Sequence, residues 1–123
     1  MTLRVYTAQM RVRDPDALDI TRASSGPLGR PFAPSWEILL PEMRARHSGN
    51  RDPERWARYV TAYTREMRES YRLQREAWDA LLARERVVLL CYCHGVPQCH
   101  RYVLGHDILP RLGAVFEGEI DRE

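Results

Sequence analysis

Cys91, Cys93 and Cys99 are the only cysteines of the chain, and His94 and His100 lie among them. Thiols and imidazoles at this density can supply a nucleophile and its proton carrier, or the ligands of a metal ion. The local pattern favours a junction between two elements. Val87 to Cys93 is a run of seven apolar or thiol residues, rich in β-branched and aromatic types, and it predicts a buried strand. Gly95 and Pro97 end that strand, and Val103, Leu104 and Ile108 recur at helical spacing before Pro110 and Gly113 stop the pattern. Cys99 therefore stands at a helix start, where unpaired amides and the helix dipole favour a negative charge. With His100 and Arg101 beside it, Cys99 is expected to have a lowered pKa and to act as a thiolate. His100 falls on the side of Val103 and Leu104 and should point toward the sheet.

Three chemistries stay open for this cluster. In the first, Cys99, His100 and Arg101 are catalytic, with His100 or His94 moving protons, in an enzyme acting on a phosphate-containing substrate such as a nucleotide or nucleic acid. The Cys-x5-Arg loop of cysteine phosphatases is absent, since the residues six on from Cys93 and Cys99 are Cys99 and Gly105. In the second, Cys91, Cys93 and Cys99, with His94 or His100, bind zinc or iron. Within a strand, Cys-x-Cys places its Cα atoms about 6.5–7 Å apart on one face, so sharing a metal requires distortion. In the third, the site is an anion-binding module without catalysis.

A second segment is expected to face the same crevice. Residues 22–34 contain Ser24, Ser25, Gly26, Pro27, Gly29, Pro31 and Pro34, which makes this stretch a loop, and loops of that length are commonly functional. Arg22, Ser24, Ser25, Gly29 and Arg30, together with His94, are the candidate substrate-binding residues. Arg22, Arg30 and Arg101 would converge as planar forks for a carboxylate or phosphate. Asp19 is the nearest candidate for a general base.

The segments Leu89-Leu90-Cys91-Tyr92-Cys93 and Cys99-His100-Arg101-Tyr102-Val103-Leu104 resemble the signature of the bacterial and phage family called domain of unknown function 488. Asp19-Ile20-Thr21-Arg22 and the loop Pro27-Leu28-Gly29-Arg30-Pro31-Phe32 are similar to that family and to a related one numbered 4326. The resemblance implies an α/β fold with a shared pocket.

The elements that must position these residues follow from periodicity. Leu3 to Met10 alternates as a strand, Ala17 to Thr21 is a second short strand, and 87–93 joins them in one sheet. Ala114 to Phe116 is a candidate edge strand, followed by an acidic tail expected to fray. Trp36 to Arg46 reads as a short helix, with Trp36, Leu39, Leu40 and Met43 on one side and Pro41 shifting its start. Asp52 caps a long amphipathic helix over 53–84, with Pro53 at its first position. Unbroken, it would extend roughly 45 Å, too long for a domain of this size, so it should break near Ser70 or project. Arg65 with Glu69 and Arg72 with Glu76 are spaced as i, i+4 ion pairs, and the aromatic stripe on the other side is expected to be core, or on a projecting helix to serve a homodimer.

The expected architecture is thus a single α/β domain over 1–123: a small two- or three-layer arrangement of about three to five mostly parallel strands with flanking helices. At 44% hydrophobic and 29% charged residues the composition is that of a soluble globular chain, with no apolar run long enough to span a bilayer. A cytoplasmic location is expected, because three clustered cysteines do not form a disulfide framework. All nineteen basic residues are arginine, which excludes Schiff-base chemistry and lysine-dependent phosphate loops. A net charge of +2 is too small for a general nucleic-acid coat and leaves a small anionic ligand or a local nucleic-acid contact as the partner.

Overall fold

A computed structural model describes residues 2–50, 52–93 and 98–121. Four parallel strands, β1 (Arg4–Gln9), β2 (Ala17–Asp19), β3 (Arg86–Cys91) and β4 (Val115–Ile120), form one sheet in the order β2-β3-β1-β4. Because every pairing is parallel, all four carboxyl ends lie along one edge. Strand alternation splits the sheet residues between two faces. Leu3, Val5, Leu18, Val87 and Leu89 pack with residues from the helices, whereas Ala8, Val88 and Leu90 pack only with sheet residues and with Met10 and Val12 of the β1–β2 crossover. The arrangement is therefore two-layered, with every helix on one face.

The helices are α1 (Trp36–His47), α2 (Pro53–Leu73), α3 (Arg75–Leu82) and α4 (His100–Tyr102). The last runs on through a π-helical stretch, Val103–Ile108, and a 3-10 turn, Leu109–Leu112. Gly113 ends this chain of turns with φ of 99°, a conformation that favours glycine. Asp52 caps α2 by accepting from the Glu54 amide at 3.0 Å. The long helical segment breaks at Gln74, which lets α3 fold back so that Trp78 Nε1 donates to Ser70 Oγ at 3.0 Å. Ser70 Oγ donates in turn to the Pro31 carbonyl at 2.6 Å, and Tyr63 donates to the Phe32 carbonyl at 2.7 Å. The 22–34 loop, which contains a 3-10 turn at Arg30–Phe32, is thereby fixed to the helical layer.

Three expectations are corrected. Helix α1 begins at Trp36 and carries Pro41 inside it, at an exposed position where the carbonyl of Glu37, which Pro41 cannot bond, faces solvent. Trp36, Leu40 and Met43 of this helix are exposed. The chain after Phe116 continues as strand through Ile120 and is no frayed tail over that span. On α2, Arg72 pairs with Glu69 at i, i+3 and not with Glu76, and no ion pair joins Arg65 to Glu69 among the described residues. The aromatic stripe of α2 is core, as expected: Tyr59, Tyr63 and Met67 are buried.

Gly29 shows how tightly the loop seats on the sheet. A Cβ there would lie 1.8 Å from the Asp19 carbonyl oxygen at the end of β2. Gly29→Ala is expected to lower the unfolding free energy by about 1–3 kcal/mol, measured by urea denaturation, with Gly26→Ala, which meets nothing within 4 Å, as the neutral control.

Candidate functional site

The carboxyl ends of β2 and β3 open onto a cavity of about 680 Å³, walled by the start of the 22–34 loop, by α1, by Tyr59 of α2 and by the cysteine segment. Thr21, Arg22 and Ala23 face it from one side and Cys91, Tyr92, Cys93, Cys99 and His100 from the other. The two segments do share one crevice, at the strand ends where open α/β sheets bind their ligands.

At its floor the three sulfurs lie within 4.8 Å of one another. β3 ends at Cys91, two residues earlier than expected, and the turn beyond it brings Cys91 Sγ to 3.7 Å from Cys93 Sγ. The distortion that a shared metal requires is therefore built into the backbone. Arg101 holds it there. Its Nη1 donates to the Cys93 carbonyl at 2.9 Å and to Cys99 Sγ at 3.3 Å, while Nε and Nη2 bond Glu119 of β4 at 3.1 and 2.8 Å. Arg46 of α1 reaches Cys93 Sγ at 3.7 Å and also bonds the Gln98 carbonyl and Glu42.

His100 is buried. Its Nε2 lies 2.9 Å from the Ile20 carbonyl, which only a protonated nitrogen can satisfy, so Nδ1 carries the lone pair 3.7 Å from Cys91 Sγ. Burial lowers its pKa and keeps the ring neutral.

The thiols are not equivalent. Hydrogen bonds from Cys93 and then Cys99 lower the pKa of Cys91, helped by Arg101 and opposed by burial. The same contact with Cys91 raises Cys93, and burial raises Cys99. Cys99 was expected to be the activated thiol. It is 1% exposed and precedes a helix of three residues, so the lowered pKa belongs to Cys91.

The other candidate residues are placed as follows. Arg22 faces the cavity. Arg30 is tied to Ser25 through its hydroxyl at 3.0 Å and its carbonyl at 3.1 Å, and Arg101 is buried against Glu119, so the three arginines do not converge. Ser24 is bonded to Asp19, Thr21 and Tyr92, and Asp19 also accepts from Thr21, which makes it the organiser of this turn and not a free base. Gly29 packs on β2, as described above, and His94 lies outside the described residues. Sequence reasoning missed Arg46, Glu42 and Tyr59, and gave no reason to place Trp36 and Met43 at a site. Their one signal was a helix with an apolar side that the core had no room to take.

Two measurements follow from this geometry. Glu119→Ala leaves the Arg101 guanidinium, 0% exposed, without its counter-charge, and should cost about 3 kcal/mol in chemical denaturation. His100 stays neutral in the folded chain but takes a proton near pH 6.5 once unfolded. The stability it contributes above that pH is therefore lost as the pH falls below it, down to its depressed native pKa. Denaturation midpoints between pH 7 and 5 should fall less steeply in His100→Gln, whose amide can still donate to Ile20.

Residues 6–112 match the model of a family described as the active DUF488-N3 subclade. No curated protein and no solved structure gives a match.

Proposed function

The chain belongs to the DUF488 family, and on that premise we propose that Cys91, Cys93 and Cys99 hold a single thiophilic metal ion, of the zinc type, at the floor of the cavity. One observation carries this reading: the three sulfurs, two from the end of β3 and one from the start of α4, already lie within 4.8 Å of one another. Zinc–sulfur bonds of about 2.3 Å in a tetrahedral site place sulfurs about 3.8 Å apart, and the Cys91–Cys93 separation is 3.7 Å. Soft thiolate donors favour zinc, copper(I) or iron–sulfur chemistry over magnesium or calcium.

The surroundings support the same reading. Three thiolates carry more charge than a divalent ion offsets, and the guanidinium groups of Arg101 and Arg46 stand 3.3 and 3.7 Å from two of the sulfurs. His100, oriented by the Ile20 carbonyl, would position Cys91 from outside the ligand set, as outer partners of metal sites do. Among the described residues three cysteines would supply ligands, and catalytic zinc sites likewise take three ligands from the protein and keep a fourth position for water or substrate.

Titration with cobalt(II) under reducing conditions should produce intense thiolate-to-cobalt absorption saturating at one ion per chain, displaced by zinc. Any single Cys→Ser change should weaken binding by more than about 100-fold, and His100→Gln by about 10–100-fold, the range of an outer-shell partner. Thiols that remain freely alkylated in the presence of excess zinc, with no cobalt absorption, would sink the proposal.

A further inference from the structure

We propose that the cavity above the cysteines binds a small molecule with a flat, apolar body and one anionic end, the anion seated on Arg22. This inference rests on the cavity walls and not on the metal.

The size comes first. About 680 Å³ is the volume of a pocket for a small organic molecule, larger than an ion or a water cluster needs. The walls come next. Trp36, Leu39 and Met43 of α1 face Tyr59 of α2 across the space, and Trp36 and Met43 are 44% and 50% exposed although the helix that carries them packs on α2. Apolar side chains left open around a cavity keep a surface that a ligand's apolar body would remove from water. Aromatic walls favour a planar group.

Charge then fixes the other end. Arg22 faces the cavity, its Nε is buried with no hydrogen-bond partner, and its guanidinium forms no ion pair among the described residues. A buried donor without an acceptor costs free energy that a ligand oxygen would recover. The other arginine of the lining is committed: Arg46 bonds Glu42, the Gln98 carbonyl and Cys93. Glu42, the one carboxylate among the lining residues, is held by both Arg46 and Arg55, so no unpaired carboxylate of the lining opposes an anion. Arg22 alone has its fork available, and that fork matches a carboxylate or a phosphate.

Calorimetric titration of the intact chain, in buffer containing a metal chelator, tests this with 1-naphthoate, 1-naphthyl phosphate and neutral 1-naphthol. At least one of the two anions should bind at a single site at least about tenfold tighter than naphthol, the return expected for a charged hydrogen bond. The tighter of the two names the anionic class. Arg22→Gln should bring the anions to the naphthol level and leave naphthol unchanged, and Trp36→Ala should weaken all three. Arg68→Gln, in the separate groove between α2 and the π-helical stretch, should change nothing. Naphthol binding as tightly as both anions, anion binding indifferent to Arg22→Gln, or a loss produced by Arg68→Gln would each overturn the proposal. Because the chelator removes bound metal, success or failure here is independent of the metal reading.

Discussion

A guanidinium with no solvent contact organises this molecule. Taking Arg101 out of water costs several kcal/mol unless its charge and its donors are all met. Glu119 supplies the charge from β4, the Cys93 carbonyl and Cys99 sulfur take up further donors, and the surrounding sheet excludes water. Those bonds join the last strand, the start of the final helical stretch and the segment leaving β3. The three thiols approach one another because the backbone on either side of them is fastened to the same cation.

From that constraint the electrostatics of the site follow. Three clustered thiols, two of them buried, cannot all ionise, since each thiolate opposes the next. Two guanidinium groups favour the first charge, and the hydrogen bonds from Cys93 and Cys99 place it on Cys91. A neutral imidazole with its lone pair toward Cys91 completes the arrangement without adding a competing cation. If a metal ion bound as proposed, its charge would offset the repulsion among the thiolates and the remaining thiol protons would be released to solvent.

The strand that leads into the cysteines and the helical stretch that follows them were legible in the sequence because each is a local matter, whereas the interruption expected at Gly95 and Pro97 lies outside the described residues. A β-branched apolar run and a helical spacing need no knowledge of distant residues. The 22–34 loop and the capped start of α2 were legible for the same reason. The fates of the arginines were not. Arg101 finds Glu119 eighteen positions away, and Arg86 finds Asp14 and Asp16 across the sheet, so nothing near them in sequence reveals which are spent on structure. The extent of β4 was hidden by its alternation of exposed and half-buried residues at a sheet edge, with Gly118 and two acids that read as tail. The role of α1 was misread in a more instructive way. A sheet with one helix-covered face has room for the apolar side of α2 and α3, and the second apolar helix side is left to wall a cavity.

The order of strands also dictates when the site can exist. β1 is made first yet sits between β3 and β4, pairing Arg4 with Arg86 on one side and Val115 on the other, so most of the chain separates the partners. Folds dominated by such distant pairings close slowly. Until β4 docks, Arg101 has no counter-charge to justify its burial, so the arrangement of the three sulfurs depends on the strand that comes last in the sequence.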